Sequence, residues 1–458
     1  MTRTPSLSDW ARPLFGALAG AGAIVAVVAL PVLDLPAVAP EPASVAIAPP
    51  SAGQTLVCTG EILATARDST AVDAITVAAS QAVVTAGEGA LGRTELESDA
   101  AGAAPLVLRS SAGSAPFAAA GSATVGDPDL SGFSASACRV PLLDSWLVAG
   151  AGTTGAADLV VLSNPGEVAA TVTLTVYGAS GADVPPGGAD IVVRPGAQRI
   201  VPVAGIALGE QSPVIHVQAA GAPVAASLQS SITRVLEPGG VDQAGALGEL
   251  AGRQTIPGVT VTEGALSTGS GLSGTIVRVL SPQSATEATI SVRAVGGATP
   301  VIDPVTVQLA AGIPAAIEMP SVPVGSYIVD VDAGEPVAAA VWQTTGFGAA
   351  SDFAWYQPSP VIDTDAVIAV PTGPAPVLTI ANPGTDDIAV DLREPGTEPV
   401  TIAIAAGSST QVPLRAATTY ELTGGPVLAS VGYAGAGALA AFPVSPTSAG
   451  QEPIIVHP

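Results

Sequence analysis

Apolar and polar positions alternate over short stretches along most of the chain. In ATVTLTVYG, Val172, Leu174 and Val176 fall on one face and Thr171, Thr173 and Thr175 on the other. This period of two predicts a half-buried antiparallel strand. The pattern returns at Ile290 and Val292, and again at Ile388, Val390 and Leu392. An apolar run precedes each stretch and halts at a proline: LVVLSNPG at Asn164 and Pro165, IVRVLSP at Pro282, and VLTIANPG at Asn382 and Pro383. Proline cannot donate to a strand ladder and glycine accepts the positive φ of a turn, so each run predicts a strand end. Two further landmarks follow in fixed order, a glycine (Gly196, Gly312, Gly407) and a Pro-Val pair (Pro223, Pro336, Pro426) expected to open a last strand. The sequence contains two asparagines, Asn164 and Asn382, and both stand in this motif.

Three copies of one β unit are therefore written into the chain, at a spacing of domain size and not of a solenoid turn. Short strands separated by frequent turn signals, without a convincing amphipathic helix, predict tandem β-sandwiches of immunoglobulin or fibronectin-like shape, arranged as separate beads. The expected repeats occupy residues 146–252, 253–360 and 361–458, after a diverged β unit at 51–145.

The alternation is suspended once. Residues 14–33, LFGALAGAGAIVAVVALPVL, are twenty uncharged positions, enough for a helix to cross a bilayer. Arg3 and Arg12 precede them and Asp34 follows, so residues 1–13 are expected in the cytoplasm and the bulk of the chain outside. A cleaved signal peptide is the competing reading, from Ala37-Val38-Ala39. Pro40 and the length of the apolar run favour an uncleaved anchor. The proline-rich residues 34–50 read as a semi-rigid tether.

Composition sharpens this picture. The chain has 458 residues, 48% hydrophobic but only 11% charged, with 52 glycines and 42 prolines, as expected of a folded, turn-rich protein. Every basic residue is arginine, which removes lysine Schiff-base and P-loop chemistry. A formal net charge of −24 repels nucleic acid, so no nucleic-acid partner is expected. Cys58 and Cys138 lie in the exported first unit, where an oxidising compartment favours a structural disulfide over a catalytic thiol.

The single N-terminal span, the cysteine in LVCTGEIL, the second in GFSASACRVPLLDSWLVAG and the NPG strand after it together resemble the actinobacterial membrane-anchored family catalogued as domain of unknown function 5719. The resemblance covers most of the chain. It implies a cell-envelope protein and supplies no catalytic residue.

Candidate chemistry is sparse. His216, in VIHVQ, is expected to point outward from a strand, and without a second internal histidine a zinc site or a Ser-His-Asp triad lacks its parts. Asp330, Asp332 and Glu335 can be set near one another, as can Asp363 with Asp365 and Asp386 with Asp387, but outward solvated carboxylates are the favoured reading. Trp146 and Trp342 are expected in cores, and GSGLSG is expected to be a flexible loop. Phe353, Trp355 and Tyr356 are the candidate binding patch, a sugar-stacking or partner surface, with core packing as the commoner fate of such rings. No metal or cofactor is implied. The expected function is a non-catalytic interaction or scaffold protein of the envelope, with the lipid bilayer at residues 14–33 and an envelope protein or glycan as partners. The alternative is a cell-surface glycan-binding or glycan-processing protein.

Overall fold

The computed structural model of the chain describes residues 45–47, 53–65, 67, 71, 74–112, 114–266, 273–320, 322–446 and 454–456. The expected membrane helix at 14–33 and the GSGL residues of the expected loop lie outside them. Among the described residues no helix is long and apolar enough to cross a membrane; strands dominate, with three short 3-10 turns. The chain divides into two compact units. One contains residues 1–49 and 452–458, where the strand Val45–Ile47 pairs antiparallel with Ile454–Val456. Both strands fall where the sequence suggested other things, a tether and the end of the third repeat. The other unit is residues 50–451.

Within the larger unit the three copies repeat one set of strand pairings. The strand ending at each first landmark is central to one sheet. Leu159–Asn164 pairs with Ala197–Pro202 and Ala225–Arg234, and Val377–Ala381 pairs with Ser409–Pro413 and Val427–Gly435. In the second copy Thr275–Leu280 pairs with Ala315–Glu318 and with the later half of Gly325–Thr344. The alternating strand is central to the facing sheet. Ala170–Gly178 lies between Ile191–Val193 and Val214–Ala220, Thr286–Ala294 between Val305–Leu309 and the earlier half of Gly325–Thr344, and Ile388–Arg393 between Val400–Ile404 and Thr418–Thr423. Side chains with period two fill the space between sheets: Val160, Leu162, Val172 and Leu174 in the first copy, Val277, Val279, Ile290 and Val292 in the second, Leu378, Ile380, Val390 and Leu392 in the third.

The landmarks act through backbone geometry. Gly196, Gly312 and Gly407 have φ of 65°, 72° and 63°, the left-handed conformation that glycine adopts at least cost. Pro223 and Pro426 stand just before the strands Ala225–Arg234 and Val427–Gly435. Pro336 does not open a strand, contrary to its expected role. Gly325–Thr344 runs through it without a turn and passes from one sheet of the sandwich to the other. The partner strand shifts register there, between Ala251 and Arg253, so the missing proline N–H falls where the ladder is already interrupted.

The sandwiches are not separate beads. After each strand that flanks the central one, the chain adds an outer strand: Glu237–Gly245, Phe353–Tyr356 and Ala438–Pro443. These pack on one another and on Ser131–Ala137 of the first unit, so edges that would otherwise invite foreign strands are covered. Hydrophobic clusters consequently cross the copies. Phe353 and Trp355 lie in the cluster of the first sandwich, Leu439 and Ala441 in that of the second, Phe133 and Ala135 in that of the third.

Candidate binding cleft at the junction of the β units

The residues Ser351 to Gln357 form the hub of this convergence. Asp352 is buried, and its carboxylate accepts backbone N–H bonds from Phe133 at 2.9 Å, Val241 at 3.1 Å and Leu439 at 3.1 Å. Three β units thus donate to one side chain of the fourth. Gly132 and Gly240 make this possible, since a Cβ on either would stand 2.6 or 2.7 Å from the carboxylate. Burial holds the Asp352 carboxyl well above the usual carboxylate range, against the lowering effect of its amide donors.

Phe353, Trp355 and Tyr356 are all buried, so the exposed aromatic patch raised by the sequence is corrected to an interior one. Their strand pairs with Gly325–Thr344, and its other neighbours are the outer strands of the first and third sandwiches. The Trp355 N–H donates to Asp242 at 2.7 Å, and the Arg278 guanidinium lies 4.5 Å from the Trp355 ring centroid. Arg278 crosses between copies to donate to the carbonyls of Gly150 and Pro213 at 2.9 and 2.8 Å, and burial pushes it down to about 9. Burial likewise pushes the carboxyls of Asp158 and Asp242 up to about 7.

Beside this hub lies a cleft of about 720 Å3. Its walls come from every β unit: Leu56 and Phe117 from the first, Ala226 and Leu247 from the next, Gln254 and Thr255 after that, and Ile368, Leu428 and Phe442 from the last. The segment Pro358–Val361 closes one side. The charged wall residues are Arg139, Arg253 and Glu249.

Arg139 is placed there by covalent and backbone constraints together. Cys58 and Cys138 form the expected disulfide, and the next residue exchanges both backbone bonds with Val57, at 2.8 and 2.9 Å. The side chain then runs over Gly245, where a Cβ would stand 2.0 Å from Nε. Nη1 donates to the Ala246 carbonyl at 3.2 Å and Nη2 to Gln357 Oε1 at 2.9 Å, and the Gln357 amide donates to Gly245 O. No carboxylate pairs with Arg139 among the described residues, and burial pushes it down to about 10. Arg253 differs, since Asp332 and Asp330 hold its guanidinium at 3.5 and 3.6 Å.

The remaining candidates are structural. Asp330 is buried, not solvated: Arg293 grips it at 2.7 and 2.8 Å and Thr255 donates to it at 2.7 Å. Guanidinium groups thus occupy the positions a metal ion would need, while Asp332 and Glu335 remain exposed. Asp363, Asp365, Asp386 and Asp387 are exposed too, and Asp387 accepts the Ala406 N–H. Among the described residues no cluster of three metal-ligating side chains occurs. His216 does not point freely outward. It stacks on Trp146, with centroids 3.9 Å apart, and meets Asp144 at 2.9 Å. Trp146 and Trp342 are buried as expected. Sequence reasoning missed Arg139, Asp352 and Arg278; the one available signal was charge embedded in apolar strand sequence, as in ACRVP and IVRVL.

No curated protein matches the chain. A family of unknown function, DUF5719, matches residues 95–422, from the first β unit into the strand Thr418–Thr423 of the third copy. That match covers most of the chain, and the chain belongs to this family of unknown function.

Proposed function

We propose that the protein is a non-catalytic interaction or scaffold protein of the cell envelope, anchored in the lipid bilayer by residues 14–33 with its N-terminus cytoplasmic and its β units outside. The observation that carries this reading is the preformed, largely apolar cleft at the meeting point of the β units. Such cavities are the usual place for a ligand or partner group. The disulfide supports an exported chain. Glycan binding, the alternative class, rested on an exposed Phe353, Trp355 and Tyr356 surface, and these rings are interior.

Photo-crosslinking in intact cells tests this, with the crosslinker at Leu142 on the cleft or at Val192, an exposed position outside it. The expected result is a discrete adduct from Leu142 alone, together with an extracytoplasmic C-terminal reporter. Identical patterns from both positions, or a cytosolic reporter, would overturn the reading.

A further inference from the structure

We propose that the cleft binds an anionic amphiphile, its carboxylate or phosphate head against Arg139 and its acyl chain along the apolar walls. This deepens the reading of the protein as an envelope interaction protein and rests on it. Arg139 carries five N–H donors, of which two have acceptors among the described residues, Ala246 O and Gln357 Oε1. The remaining donors have no acceptor among the described residues and are free to meet a ligand in the cleft. A half-buried guanidinium on the wall of a cleft favours an anionic partner, and no carboxylate among the described residues pairs with it. Planar, forked donors suit a carboxylate or phosphate.

The walls select what is attached to that head. Leu56, Phe117, Leu247, Ile368 and Phe442 offer an acyl chain contact, and apolar residues outnumber polar ones such as Gln54, Ser145 and Ser359 along the walls. The volume of about 720 Å3 lies within the range of roughly 300–1,000 Å3 typical of pockets that enclose one small molecule. The net charge of −24 opposes the approach of any free anion, so a head group alone binds weakly and the apolar chain supplies the affinity. A cationic ligand meets Arg139 and is repelled.

The test uses the full-length chain in phosphatidylcholine nanodiscs, titrated with the fluorescent fatty acid 11-(dansylamino)undecanoic acid and corrected with empty nanodiscs. Saturable binding is expected, weakened about tenfold or more in the methyl ester and in Arg139→Gln, the loss expected for one charge-assisted contact. Ala251→Trp, at an exposed strand position on the cleft wall, is expected to block binding without touching Arg139, and keeps the test decisive if Arg139→Gln fails to fold. Displacement by oleate or by lysophosphatidic acid supports the proposal, and the stronger competitor identifies a free fatty acid or a phospholipid as the source of the head. Equal binding of acid and methyl ester, displacement by inorganic phosphate alone, or binding unchanged in both variants would overturn it. Those failures would leave the crosslinking and topology results standing, so the two readings are separable.

Discussion

Asn164 and Asn382 hold equivalent turns with equivalent bonds. Each carboxamide accepts the N–H of the glycine two residues on at 2.9 Å and donates to the carbonyl four residues on at 2.8 Å. Each also reaches the end of the outer strand of the facing sheet, Asn164 to Val193 O at 3.0 Å and Asn382 to Ile404 O at 3.2 Å. The NPG landmark therefore ties the two sheets of its sandwich together. Substituting Asn164→Ala leaves buried backbone groups without partners, and is expected to lower stability by about 2–3 kcal/mol in chemical denaturation. Asn164→Asp is expected to be no better, because an ionised carboxylate cannot donate to Val193 O or Val168 O.

The buried carboxyls give stability a pH dependence. Asp158 and Asp242 sit near 7 in the folded chain, above the unfolded value of about 3.9. Between these values the native state holds protons that the unfolded state has lost, so their contribution is most favourable at acidic pH. It declines as pH rises towards 7 and is level above that. Urea denaturation is expected to show greater stability at pH 5 than at pH 8. Asp242→Asn, which keeps an oxygen for the Trp355 N–H, is expected to narrow that gap by about 1–4 kcal/mol, at about 1.4 kcal/mol per pKa unit.

The disulfide closes a segment of 80 residues, for which the loop-entropy argument gives about 4–5 kcal/mol. A Cys58→Ser, Cys138→Ser double variant is expected to lose a large part of that in denaturant titration. Cleft binding should weaken with it, because Cys138 immediately precedes Arg139.

Trp355→Ala is expected to destabilise the chain by about 3–5 kcal/mol, the usual cost of truncating a buried aromatic ring. It also strips the face under Arg278. Calorimetric unfolding reads this directly. Preserved stability would contradict the interior placement of the ring.

Much of the sandwich architecture was legible in the sequence because its causes are local. Val172, Leu174 and Val176 report a buried face by their spacing, and Asn-Pro-Gly reports a strand end by what proline cannot do. What joins the copies was not legible. Asp352 and Arg278 look in sequence like solvated charges, and only the tertiary approach of Phe133, Val241 and Leu439 shows why one of them is buried. SDFAWYQ stood out by composition, but aromatic residues carry no label separating an outer surface from a junction of four β units. Arg139 gained its significance from Gly245 and Ala246, which lie more than a hundred residues away.

The convergence of the β units on Asp352 is tested most directly by hydrogen exchange at the backbone amides of Phe133, Val241 and Leu439 in the full-length chain. All three donate to one carboxylate, so they are expected to exchange only through global opening, and to lose protection together in Asp352→Ala. Exchange of any one of them at the rate of an exposed loop, or loss of protection at one alone in the variant, would contradict the account.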